Sequence, residues 1–130
     1  MIYFDTSALV KLVFDETESA ALADWLTLRA DVPKVSSDLV TIELLRTCRR
    51  VDKDAVEGAN QLLRGIDLLP MDRAIVEMAA SLDPTELRSL DAIHLASALS
   101  VKTSLTALVA YDGRICSAAA EAGIEVVSPA

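Results

Sequence analysis

The spacing of apolar and polar residues changes repeatedly along the chain, and each change predicts an element boundary. Ile2-Tyr3-Phe4 is a short apolar run that predicts a first strand, followed at once by a helical run from Ser7 to Phe14. A second helix is predicted over about Glu18 to Ala30, with Ala21, Trp25 and Leu28 on one face. Val35-Ser36-Ser37 predicts a short strand, and Asp38 is placed to cap a helix running to about Val51. Lys53 to Arg64 predicts a further helix, stopped by Gly65 ahead of a strand at Ile66 to Leu69. Beyond Pro70, Asp72 opens a helix through Leu82, and Asp83 to Leu90 form a loop containing Pro84. A helix over about Asp91 to Val101, a strand from Leu105 to Ala110 and a helix from Asp112 to Ala122 follow. Gly123 supplies a stop, and Ile124 to Val127 is the last strand.

Strands that alternate with helices need crossover connections, which make a sheet mainly parallel and put helices on both faces. The fold class is therefore α/β with five strands. No linker, repeat or low-complexity segment interrupts the pattern, so residues 1–130 read as one domain. In such sheets the functional crevice lies beyond the carboxyl ends of the strands. Asp5 follows the first strand and Asp112 the fourth, so two acids fall at that edge.

Composition narrows the class further. A chain of 130 residues, 52% hydrophobic and 25% charged, can bury a core without disulfides and is not disordered in kind. Its two cysteines, Cys48 and Cys116, do not make a secreted disulfide framework and suit a reducing cytoplasm. The start, Met1-Ile2-Tyr3-Phe4-Asp5, lacks the basic run of a signal peptide, and no apolar stretch reaches membrane-spanning length. The net charge of −8 opposes simple backbone binding of nucleic acid, unless much of it belongs to a metal site. Arg46, Arg49, Arg50 and Lys53 form one local basic cluster, readable as a solvated helix face or as a nucleic-acid footprint.

Four acids are candidates for chemistry, and each also has a plain structural explanation. Asp5 could be an N-cap, Glu43 could pair with Arg46, Asp91 could favour a helix dipole, and Asp112 before Gly113 could be a turn or cap. As a set they are harder to dismiss. Asp5 follows a strand expected at the sheet centre, and Glu43 lies beside the apolar stripe Val40, Leu44, Cys48 and Val51. Carboxylates sharing a pocket raise one another's pKa values unless a cation sits among them. All-oxygen ligands suit Mg²⁺ or Mn²⁺, which can drive phosphodiester hydrolysis without a nucleophilic side chain.

Other α/β chemistries fit less well. A haloacid-dehalogenase-like phosphatase needs a second Asp two residues after the first, where this chain has Ser7. A phospho-receiver needs an Asp ending its third strand, where Pro70-Met71 stands, and no Gly-rich phosphate loop is present. The lone His94, one turn after Asp91, reads as a helix-surface or core histidine rather than a base.

These motifs together resemble a known family. Phe4-Asp5-Thr6-Ser7-Ala8-Leu9-Val10-Lys11-Leu12 is similar to the opening motif of PIN-domain nucleases, and more narrowly of the toxins in VapBC-type toxin–antitoxin pairs. Ile42-Glu43-Leu44-Leu45-Arg46 resembles their second motif, and the string from Leu87 to Ala96 the third. Leu108 to Arg114, followed by Ala122-Gly123-Ile124, resembles the fourth. The resemblance implies a three-layer α/β/α sandwich and a Mg²⁺- or Mn²⁺-dependent endoribonuclease acting on RNA. It also implies a homodimer neutralised by a small antitoxin protein, whose basic segment the acidic chain would suit. Asp5, Glu43, Asp91 and Asp112 take the metal-site roles by motif, with Thr6 or Ser7 supporting them through a hydroxyl. One departure is Ala110, where the family often has a small hydroxyl residue two positions before the fourth acid. That loss predicts metal binding mainly by Asp5 and Asp91, with Glu43 and Asp112 acting partly through water. The competing expectation is a catalytically silent PIN-like module that keeps the acids as caps and ion pairs and holds a protein partner.

Overall fold

The alternation in Ile2-Tyr3-Phe4 decides the layering. In the computed structural model, which describes all 130 residues, Ile2 and Phe4 point into one core while Tyr3 points into another on the opposite face of the sheet. Strands β1 (Ile2–Phe4), β2 (Lys34–Ser37), β3 (Asp67–Leu69), β4 (Ala107–Val109) and β5 (Val126–Val127) form one sheet in the order β3-β2-β1-β4-β5. All pairings are parallel. Helices α1 (Thr6–Val13), α2 (Ser19–Thr27), α3 (Leu39–Val51) and α4 (Val56–Arg64) cover one face, packing Leu9, Leu22, Leu44, Cys48 and Leu63 against Ile2 and Phe4. On the other face α6 (Ser89–Ser100) and α7 (Gly113–Glu121) bring Leu95, Ala98, Ile115 and Ala119 onto Tyr3 and Leu108, and α5 (Arg73–Ser81) packs on α6. This is the expected α/β/α sandwich. No helix is long and apolar enough to cross a membrane.

β1 is central, as expected, and the strand order reverses beside it: the chain steps from β1 outward to β2 and β3, then returns to place β4 on the other side. The ends of β1 and β4 therefore flank the switch point of the sheet, where such folds open a crevice.

Several local expectations are corrected. Asp38 does not cap α3: its backbone is already helical, and Ser37 Oγ accepts the Leu39 N–H at 3.1 Å instead. Leu28 does not share the buried face of α2, which ends at Thr27; Leu28 is 83% exposed, and Leu22 with Trp25 and Leu26 forms the packed face. Val51 leaves the α3 stripe because it is the last helical residue, and it is 62% exposed. The segment from Lys53 opens with a 3-10 turn at Lys53–Ala55, so α4 proper starts at Val56. Helix α6 starts two residues before Asp91, at Ser89. Gly123 closes α7 as expected, in the left-handed region at φ +82°.

Candidate active site

Asp5 sits where β1 hands over to α1, buried to 5% exposure, with its backbone N–H donated to Val109 O of β4 at 3.0 Å. Its carboxylate does cap α1: Oδ2 accepts the Ser7 N–H at 3.1 Å and the Ser7 hydroxyl. Ser7 Oγ in turn accepts the N–H of Tyr111 at 3.0 Å, which ties the end of β1 to the β4–α7 turn. Buried Ala110 offers no hydroxyl there; Ser7 bonds the Tyr111 N–H, and Ser128 Oγ donates to Ala110 O.

Glu43 reaches the same edge from α3. It makes no ion pair with Arg46; Oε1 accepts from Thr6 Oγ1 at 2.7 Å and from His94 Nε2 at 2.6 Å. Thr6 and Ser7 thus both brace carboxylates through hydroxyls, Thr6 on Glu43 and Ser7 on Asp5. The His94 ring is 1% exposed, and its Nδ1 lies 2.8 Å from Tyr3 Oη. A carboxylate can only accept, so Nε2 donates to Glu43, and Nδ1 is left facing the Tyr3 hydroxyl. Burial holds the Tyr3 phenol far above its ordinary range, so it stays a neutral donor. His94 is a core histidine in position, yet it is wired to Glu43 and lies 3.9 Å from Asp5 Oδ1. The sequence offered only its spacing from Asp91 as a hint.

Asp91 lies in the first turn of α6, half-buried and without a hydrogen bond from its carboxylate to another side chain. Burial raises its carboxyl above the ordinary range, and the charges of Asp5 and Asp112, with a smaller part from Glu43, push it further. Asp91 therefore feels all three other candidates at once. Asp112 is exposed at the end of the β4 segment and caps α7, its Oδ1 accepting the Arg114 N–H at 2.9 Å.

A common arrangement emerges. Asp5, Glu43 and Asp112 each commit one oxygen to the protein and leave the other open: Oδ1, Oε2 and Oδ2. No lysine or arginine is ion-paired with any of the four acids. In kind, the all-oxygen donors and their mutual repulsion fit a hard divalent cation. In spacing they are loose, for no three acidic, histidine or cysteine side chains converge closely enough to hold an ion between them.

A doubly wound parallel sheet with carboxylates at its switch point, none of them paired with a lysine or arginine, defines the class of α/β protein. The PIN domain family matches residues 2–121. The chain is 42% identical over 132 residues to Ribonuclease VapC47 of Mycobacterium tuberculosis, covering 99% of this chain and 97% of the relative. In fold it is similar to the structure of M. tuberculosis VapC20, a sarcin-ricin loop cleaving toxin (TM-score 0.74, 22% identity, 99% of this chain and 100% of that one). It is also similar to VapBC2 from Rickettsia felis bound to a DNA fragment from their promoter (TM-score 0.76, 14% identity, full coverage of both chains). The chain belongs to the PIN-domain family, among its VapC ribonucleases.

Proposed function

We propose that this ribonuclease toxin of a toxin–antitoxin pair is a Mg²⁺- or Mn²⁺-dependent endoribonuclease, with Asp5, Glu43, Asp91 and Asp112 as its catalytic cluster. The observation that supports the reading is geometric: Asp5 and Asp112 follow adjacent central strands, Glu43 and Asp91 reach the same edge from α3 and α6, and no lysine or arginine is paired with any of the four. Asp5 and Asp91 would hold the ion, with Glu43 and Asp112 reaching it partly through water, which suits an ion that keeps several of its waters. When bound, such an ion supplies Lewis-acid assistance to phosphodiester hydrolysis. Thr6 and His94 hold Glu43 ionised and aimed, so that its open Oε2 can orient a water or accept its proton. Ser7 fixes Asp5 through Oδ2 and leaves Oδ1 without a hydrogen bond.

The function in the cell is proposed to be cytoplasmic RNA cleavage by a homodimer, restrained by a small antitoxin protein. Purified protein should cleave RNA with Mn²⁺, chelation should stop it, and Asp5→Asn should lose at least about 10²-fold in rate while remaining folded. Cleavage at the parent rate by Asp5→Asn would remove these residues from the mechanism. A second reading, a silent binding module, draws on the caps that Asp5 and Asp112 already form. It predicts no rise in melting temperature with millimolar Mn²⁺, whereas a metal site predicts a rise set by mass action.

A further inference from the structure

Helix α3 carries Glu43 near its start and a dense positive charge toward its end. Arg46, Arg49, Arg50 and Lys53 are all exposed and together line one concave patch to which no other residue contributes. They are four of only twelve cationic side chains in a chain of net charge −8. None of them joins an ion pair. Of the two acids beside them in sequence, Asp52 caps the 3-10 turn, where it accepts the Asp54 N–H at 3.0 Å, and Asp54 pairs with none of the four. Unneutralised cations held together repel one another, so the patch is built for an anion that is absent from the fold itself.

Three of its four residues share helix α3 with Glu43. Thr47 Oγ1 donates to Glu43 O at 2.8 Å, and Arg50 Nη2 donates to Thr47 Oγ1 at 3.5 Å, so Glu43, Thr47 and Arg50 run along one helix face. At about 1.5 Å per residue, Arg46 and Arg50 stand roughly 4.5 and 10 Å along the axis from Glu43. Successive phosphates of one strand departing from a scissile bond at the cluster would meet them in turn. Three of the four residues are arginines, whose planar fork binds phosphate in a bidentate manner. No aromatic ring lines the patch to stack a base, so its contacts position the strand without reading its sequence.

We propose that Arg46, Arg49, Arg50 and Lys53 form a phosphate track that holds the RNA strand flanking the cleavage site. This rests on the reading of the chain as a ribonuclease, and deepens it by naming where the substrate backbone lies. An acidic peptide could also meet four cations, but the shared helix face with Glu43 and the arginine-rich composition favour a polyphosphate.

The test compares Asp5→Asn with the same chain carrying Arg46→Gln, Arg49→Gln, Arg50→Gln and Lys53→Gln. Fluorescence anisotropy of a labelled single-stranded RNA is followed from about 50 to 200 mM salt, with polyglutamate as a second probe. Each phosphate contact on a single strand contributes about 0.7 to the slope of log affinity against log salt. The four contacts therefore account for a slope of about 3, or about 50-fold in affinity over that range. The quadruple variant should lose that slope and bind RNA correspondingly more weakly at low salt, with an unchanged melting temperature. With Asp5 restored, its cleavage should show a raised KM and an unchanged kcat. Unchanged RNA affinity and slope, or a loss confined to polyglutamate binding, overturns the track. Failure of the parent chain to cleave any RNA defeats the ribonuclease reading instead, and is read in a separate assay.

Discussion

His94 Nε2 lies 2.6 Å from Glu43 Oε1, and this bond joins α6 on one face of the sheet to α3 on the other, across the carboxyl edge of β1. Thr6 adds a second donor to the same oxygen at 2.7 Å, and Tyr3 secures the far side of the ring at 2.8 Å. Burial alone would push the Glu43 carboxyl up; the hydrogen bonds from His94 and Thr6, with the charge of a protonated His94, outweigh it and leave the group below its ordinary range. A half-buried acid is thereby kept charged without a neighbouring lysine or arginine.

Replacing His94 by Phe keeps most of the volume and removes that donor. Desolvation then dominates, so Glu43 stays protonated to higher pH. The acid limb of the pH–rate profile should move upward, and His94→Gln, which can restore a donor near Nε2, should move it partly back. Cleavage at neutral pH should fall about 10²-fold, the cost of a misplaced catalytic group. A profile whose acid limb stayed in place in His94→Phe would show that Glu43 does not limit the reaction.

Ser7→Ala tests the other brace. The Ser7 hydroxyl donates to Asp5 and accepts the Tyr111 N–H, so its loss leaves Asp5 Oδ2 held by the residue 7 N–H alone and a part-buried N–H unpaired. We expect about 1–3 kcal/mol lower stability in denaturant unfolding and roughly tenfold slower cleavage. Ser7→Thr, which retains the hydroxyl, should recover most of both. If Ser7→Ala matched the parent in both assays, the Asp5 orientation would owe nothing to Ser7.

Much of the frame was legible because it depends on local spacing. Ile2, Tyr3 and Phe4 announce a buried strand by composition, and Asp5 and Asp112 stand directly beyond strands that crossovers must make parallel. The all-parallel sheet and the acids at its switch point follow from those facts. What was not legible depends on separation in sequence. The Glu43–His94 bond spans 51 residues, and nothing near either residue announces the other. Arg46, three residues from Glu43, was the obvious local partner, and it turned outward to its own cationic cluster. Leu28 and Asp38 fail for a related reason: a helix end set by the following turn, and a cap taken over by the preceding Ser37, are decided by which neighbour arrives first.

Gly123→Ala should weaken the end of α7. At φ +82° a Cβ costs about 1–2 kcal/mol, and here it would meet Lys102 Nζ at 2.9 Å. That ammonium donates to Ala122 O at 2.8 Å, so moving it aside uncovers a carbonyl at the helix terminus. The melting temperature should fall by roughly 3–8 °C with cleavage per folded molecule unchanged. A melting temperature equal to the parent's would mean the turn relaxes at no cost.

Asp91→Asn should separate charge repulsion from function. The Asp91 carboxyl is raised in the fold by burial and by Asp5, Asp112 and Glu43, so the folded state binds its proton more tightly than the unfolded chain does. For a raised group the stabilising contribution is complete below the unfolded pKa and is lost as pH rises through the folded one. At neutral pH that contribution is gone and the ionised group repels its neighbours. Asp91→Asn should therefore melt higher than the parent at pH 7 in chelator, by roughly 2–4 °C, with the advantage vanishing on acidification. Saturating Mn²⁺ should reverse the order, because the cation stabilises only the chain that retains the carboxylate. The variant should cleave no RNA. Equal melting temperatures for the two chains in chelator at pH 7 would show that the four acids do not burden one another, and with it the need for a cation among them would go.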